Sequence, residues 1–319
     1  MSADTPRMSE PVADQVGRAA VLRTLELEVI RRLDGRVSGD HHTTALGPGS
    51  ERAGAREYQP GDDARRIDWS LTARSHATHV RTTEADRELE TWVVADRSAS
   101  LDFGTAMREK RDVVLATAAA IGVMTGRAGN RFGVLACGGP TLIRRPPASG
   151  RSAMLAALSA LYDTPRYAGG PEASTDLTAA LTILPRLQPR RGQVVVVSDF
   201  LDGSDWPRAL RALAVRHQVI AVHVTDPREL ELPDVGMLGL VDPETGRVLH
   251  VQTRSAQLRA RYAEAARVRS AEIASSIRAG GGEYLAVSTD RDWLGDVIAF
   301  TTGDRRAALV SHRNRGVTL

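Results

Sequence analysis

The residues best suited to do chemistry lie where an apolar run meets a short polar motif. In Trp92-Val93-Val94-Ala95-Asp96-Arg97-Ser98-Ala99-Ser100, one carboxylate and two hydroxyls follow the run at alternate positions. Extended backbone repeats side-chain direction every second residue, so Asp96, Ser98 and Ser100 turn three oxygens to one side. Hard oxygen donors of this kind suit magnesium, which takes six ligands near octahedral geometry and keeps several waters. Short Asp/Ser patterns also cap helices and close turns, so the motif gains weight only from its company.

That company lies downstream. Residues 193–198 hold four consecutive valines, as a strand buried on both faces does, and run into Asp199. Between the two stretches, Thr175 sits at the end of the loop Gly169 to Asp176, just ahead of a helix predicted over 177–187. Ser174 and Thr178 flank it and are alternatives for the same role. No general base or nucleophile stands out beside these oxygens. The position two residues after Asp96, where aspartyl-phosphate chemistry needs a second acid, is Ser98. A binding module is therefore preferred to a magnesium-dependent phosphoesterase with Asp96 as nucleophile.

The elements that must position these residues alternate. Strands are predicted at 90–95, 130–137, 141–145 (turning back as a hairpin), 193–198, 218–224 and 283–287. Helices are predicted at 104–126, 152–162, 177–187, 205–216, along Leu258, Tyr262, Ala265, Ile273 and Ile277, and at 293–300. This order implies a doubly wound, mostly parallel α/β sheet with helices on both faces, whose ligands bind outside the carboxyl ends of the strands. Asp96, Thr175 and Asp199 all fall at such ends or at a helix start. A hairpin near 237–252, turning at Pro243 to Gly246, is an insertion.

Upstream, residues 1–15 read as a disordered tail, and Val21, Leu25, Val29 and Leu33 recur at helical spacing until Asp34-Gly35. His41 and His42 are adjacent, hence on different faces, and make no metal site. In Arg56-Glu57-Tyr58-Gln59-Pro60-Gly61-Asp62-Asp63-Ala64-Arg65-Arg66-Ile67-Asp68-Trp69, a turn leads into a short helix from Ala64 capped by Asp62 or Asp63, with Ile67 and Trp69 as apolar anchors. This segment reads as scaffold. The domains expected are a helix and signature segment at 16–89, a sheet domain at 90–302, and a mobile tail at 303–319.

Composition narrows the partners. A net charge of +3 is a weak steering field, and with 4% aromatic residues stacking platforms for nucleic acid are scarce. The basic residues are arginines save one, Lys110. Cys137 is the only cysteine, which excludes an intrachain disulfide and thiolate metal clusters. No signal peptide or membrane-spanning run is evident, and a cytoplasmic location is expected.

The oxygen set resembles the metal-ion-dependent adhesion site of von Willebrand factor A domains. Asp96, Ser98 and Ser100 match its first motif, Thr175 its second, with Leu181 following at the family's spacing, and Asp199 its third. In that family these oxygens hold magnesium, and an acidic residue of a partner protein fills the open position. The stretch from Arg56 to Trp69, with Ala73-Arg74, resembles the signature of the bacterial family called domain of unknown function 58. The resemblance covers about residues 35–290 and implies a non-enzymatic partner of a MoxR-type AAA+ ATPase, accessory to protein assembly or activation, with magnesium or manganese at the site and a client supplying the acid. A metal-free scaffold of the same fold is the alternative. Arg97 departs from the motif by placing a cation inside it, although strand alternation aims it away from Asp96 and Ser98.

Overall fold

The computed structural model describes residues 12–37, 54–60, 64, 67–75, 77–82, 89–106, 108–166, 176–242 and 246–301. The chain divides into two compact units, one formed by residues 44–88 and the other by 1–43 together with 89–319.

In the larger unit, α1 (Val12–Val37) comes first and buries Leu22, Leu25, Val29 and Leu33. Val21 is 40% exposed, not inward as its four-residue spacing suggested, because a 3.6-residue period is tracked better by Leu22 and Leu25. Glu26, on the same helix, is almost buried and takes a two-pronged bond from Arg151 at 2.6 and 2.7 Å. The expected tail over 1–15 overlaps this helix from Val12; residues 1–11 lie outside the described residues.

The small unit pairs β1 (Gly54–Glu57) antiparallel with β2 (His79–Thr82). Between them α2 (Trp69–Thr72) is capped by Asp68, whose carboxylate accepts from the backbone N–H of Ser70 and Leu71 at 3.1 and 3.0 Å. The sequence put the cap at Asp62 or Asp63, which lie outside the described residues. Trp69 is no anchor: it is 70% exposed, because a four-residue helix offers no buried face, while Ile67 is half-buried and bridges to Val80.

The larger unit continues with β3 (Glu90–Asp96), α3 (Lys110–Arg127), β4 (Arg131–Cys137), β5 (Ile143–Ala148), α4 (Arg151–Tyr162), α5 (Leu177–Leu187), β6 (Gln193–Ser198), α6 (Trp206–Ala214), β7 (Gln218–Thr225) and α7 (Pro227–Leu230). A separate hairpin of β8 (Met237–Val241) and β9 (Val248–Gln252) follows, then α8 (Ala256–Ala279), β10 (Glu283–Ser288) and α9 (Trp293–Thr301). The main sheet runs β10-β7-β6-β3-β4-β5, parallel throughout except for β5, which returns antiparallel on β4. This is the doubly wound arrangement anticipated from the alternation.

Its two faces explain the valine runs. Val93 and Val195 are registered neighbours facing one core, with α1, α3, α4 and α9; Val94 and Val196 face the other, with α5, α6 and the last turns of α8. All four are fully buried, each contributing roughly 1.5–3 kcal/mol over exposure. Of the residues expected to mark the inner face of α8, Ile273 and Ile277 are buried, whereas Leu258 and Tyr262 are half-buried and Ala265 is exposed.

The chain steps outward from β3 to β4 and β5, then returns to β6 on the other side of β3. The carboxyl ends of β3 and β6 therefore flank the point where strand order reverses, the crevice in which such sheets bind ligands.

Candidate metal centre

Asp96 ends β3 and Asp199 follows β6, so the parallel register brings both to that crevice. Asp96, Ser98 and Asp199 are all under 5% exposed, and Ser100 is 9% exposed. The Ser98 and Ser100 hydroxyls lie 3.1 Å apart, and Ser100 donates to Asp199 Oδ2 at 2.7 Å. Asp96 Oδ1 accepts from the Ser98 backbone N–H at 2.9 Å, and its Oδ2 from the Ser198 hydroxyl at 2.6 Å. Four of the five predicted residues thus form one hydrogen-bonded group, Ser98, Ser100 and Asp199 through their side-chain oxygens and Asp96 through the Ser98 N–H. Thr175 and its alternative Ser174 lie outside the described residues. Thr178 is engaged elsewhere, bonding Ser204 at 2.9 Å. The described flank of that loop is tied to the neighbouring segment, the Leu177 N–H donating to Asp202 at 3.1 Å.

The backbone that presents the motif is closely held. The Arg97 N–H bonds the Cys137 carbonyl at 2.7 Å, carrying the sheet ladder one step past the strand. Gly138 has a φ of +125°, and a Cβ there would lie 2.3 Å from the Arg97 carbonyl carbon and 2.6 Å from the Ser98 nitrogen. Only glycine lets β4 leave the sheet so near the motif. On the other side, Phe200 adopts φ +54°, the single non-glycine among the described residues in that region, directly after Asp199. Its ring is held against Trp206 at 4.9 Å between centroids, and its N–H bonds Ser198.

Arg97, the cation inside the motif, turns away from the carboxylates as strand alternation predicts. Its Nη1 donates to the Arg111 carbonyl at 3.2 Å, at the start of α3.

The cation that does enter the group is Lys110, the first residue of α3. Its side chain is fully buried, and its Nζ donates to Asp199 Oδ2 at 2.8 Å and to Glu229 Oε1 at 2.5 Å. Glu229 belongs to a capping box on α7, accepting from the Asp226 N–H at 3.1 Å. Asp226 is itself buried and takes bonds from the Thr105 N–H and hydroxyl and from the Thr289 hydroxyl. Those bonds hold residue 105 out of a helix, which is why α3 begins at Lys110 and not at 104. Neither Lys110 nor Glu229 was singled out by sequence reasoning. The one visible signal was that Lys110 is the only lysine.

Electrostatics follow from this layout. Burial, reinforced by the charge of Asp199, pushes the Asp96 carboxyl up to about 7, although bonds from Ser198 and Ser98 pull the other way. Burial would raise Asp199 too, but the Lys110 ammonium outweighs it and holds that carboxylate below the usual range. Burial alone would lower the ammonium of Lys110; Asp199 and Glu229 reverse this and raise it.

The donor set fits a small hard divalent ion. Asp199 and Glu229 bring two carboxylates to the Lys110 ammonium, while Asp96 is held by neutral donors, the Ser98 N–H and the Ser198 hydroxyl. Asp96, Ser98, Ser100 and Asp199 would hold such an ion, directly or through water. Among the described residues no three His, Cys, Asp or Glu side chains gather as metal ligands, so hydroxyls must supply part of the shell and tight binding is not expected.

Strand order and crevice define a doubly wound, mostly parallel α/β domain. The chain belongs to the family described as protein of unknown function DUF58, whose model matches residues 54–272. It is 47% identical over 308 residues to the uncharacterized protein Rv1480 of Mycobacterium tuberculosis, covering 97% of this chain and 96% of that one. A relative in Mycobacterium bovis, the uncharacterized protein Mb1516, matches to the same extent. Among solved structures, an aerotolerance-related membrane protein from Bacteroides fragilis is similar over 68% of this chain and 99% of its own, with 14% identity and a TM-score of 0.47. The hypothetical protein BatB from Bacteroides thetaiotaomicron covers 70% and 98%, with 15% identity and a TM-score of 0.43. The von Willebrand factor A domain of SpRpn10 covers 67% and 95%, with 13% identity and a TM-score of 0.39. Among the described residues no helix is long and apolar enough to cross a membrane.

Proposed function

We propose that this protein is a non-enzymatic interaction module that binds a protein partner through a divalent ion, magnesium or manganese, held by Asp96, Ser98, Ser100 and Asp199, with Thr175 completing the set. It acts beside a MoxR-type AAA+ ATPase in assembling or activating a client, which contributes an acidic side chain to the ion. The observation that supports this most is the single hydrogen-bonded group that four of these residues form at the reversal of strand order. Asp96 serves no nucleophilic role: it is 1% exposed, both its oxygens accept hydrogen bonds, and Ser98 stands where a second acid would be needed.

The test is thermal. Magnesium at a hundredfold excess over its dissociation constant adds about 2.7 kcal/mol to the native protein, a rise of several degrees in Tm. Asp96→Ala should abolish that response, and an ATPase partner captured in magnesium should be released by chelator. An unchanged response in the variant would refute the ligand assignment. One observation favours a second reading, a metal-free scaffold: the Lys110 ammonium already on Asp199. That reading predicts no magnesium response in the native protein and partner capture that survives chelator.

A further inference from the structure

We propose that Lys110 is a tethered counter-cation that holds Asp199 when no divalent ion is present and keeps the divalent affinity of the crevice low. The inference rests on the metal reading above and names what tunes that site.

Three observations converge on it. The chain uses arginine at every other one of its 42 basic positions, and its only lysine is placed where the side chain has no contact with solvent. An ammonium is a compact charge with three donors, whereas the planar guanidinium fork needs more room and a flat partner. Lys110 also stands at the first position of an 18-residue helix, where the aligned peptide dipoles disfavour a cation. A charge that is both buried and at the wrong helix end is retained because of what it touches, and it touches Asp199 at 2.8 Å and Glu229 at 2.5 Å.

Its contact lies on the candidate ligand itself. Asp199 Oδ2 accepts from both Lys110 and Ser100, and Oδ1 from the Leu201 N–H at 3.2 Å. An ion entering beside Ser100 meets a fixed positive charge already seated on the carboxylate oxygen that Ser100 bonds. It must either push Lys110 toward Glu229 or bind against its repulsion. Glu229, held by its own capping box, is the partner that lets Lys110 let go of Asp199 without being left alone.

Manganese binding by calorimetry, on the full chain in metal-free buffer, tests this. Lys110→Met should bind manganese at least tenfold more tightly than the native protein and should melt lower than it in chelator. If Lys110→Met does not fold, Lys110→Met with Glu229→Gln removes one charge of each sign and carries the same expectation. Because there is one lysine, protein labelled with [15Nζ]lysine gives a single side-chain signal, which should shift as magnesium is added. Equal or weaker manganese binding by the lysine variants, with clear binding by the native protein, would overturn the role of Lys110 and leave the metal reading intact. Binding by the variants alone would support it, with Lys110 excluding the ion outright. Absence of binding in every form would overturn both.

Discussion

Asp96→Asn separates the cost of the buried carboxylate from its use. Asp96 is 1% exposed beside Asp199 and is pushed from an ordinary 3.8 up to about 7. A carboxyl whose folded value is raised destabilises the fold once it must ionise: the penalty grows as pH rises from about 4 to 7 and is then constant. At about 1.4 kcal/mol per pH unit, the full penalty is about 4 kcal/mol. Asparagine removes the charge and keeps the bond from the Ser98 N–H, but its amide cannot accept from Ser198, a loss of about 1 kcal/mol. The net expectation in chelator at pH 8 is a variant more stable than the parent by about 3 kcal/mol, or roughly 5 °C or more in Tm. Chemical denaturation between pH 4 and 8 should show the gap closing toward pH 4, where the parent has protonated its own carboxyl. With magnesium added at pH 8 the parent should gain and the variant should not. A variant less stable than the parent at pH 8, or a gap that does not change with pH, would refute the electrostatic reasoning.

Other outcomes follow from the same layout. His223, buried and bonded to the Tyr284 hydroxyl at 3.0 Å, is pushed down to about 4, mainly by burial, so the stability it contributes is present above pH 6.5 and lost as pH falls toward 4, about 3 kcal/mol in all. In the native protein this slope opposes that of Asp96; in Asp96→Asn it should add to the acid limb of the depressed Asp199 carboxylate in denaturation curves. Gly138→Ala should lower Tm and remove the magnesium response, since the added Cβ would strike the Arg97–Ser98 peptide; a variant with native Tm and native response would contradict the close-approach argument. Val29→Ala, which hollows the contact of α1 with the main core, should cost about 1–3 kcal/mol by denaturation while leaving the metal response in place.

Much of the fold was legible because its signals are local. The valines of β3 and β6 announced strands covered on both sides, and α5 falls on the predicted residues because Asp176 caps it and its apolar positions keep helical period. Motif and topology together brought Asp96, Ser98, Ser100 and Asp199 to one place, since the parallel register fixes where strand ends meet. What escaped was set by contacts distant in sequence. Thr105 is claimed by Asp226, 121 residues away, and so α3 starts six residues late. Lys110 and Glu229 meet across a similar interval, and no spacing rule links a helix start to a capping box on another element. Trp69 looked like an anchor by type, yet a single helical turn gives it nothing to bury against.

Crystals of the full chain soaked in manganese, with data collected for anomalous scattering, address the central claim most directly. A peak within about 2.5 Å of both serine hydroxyls, Ser98 and Ser100, with Asp96 and Asp199 alongside, is the expected result. An empty map at saturating manganese, with Lys110 still seated on Asp199, would contradict it.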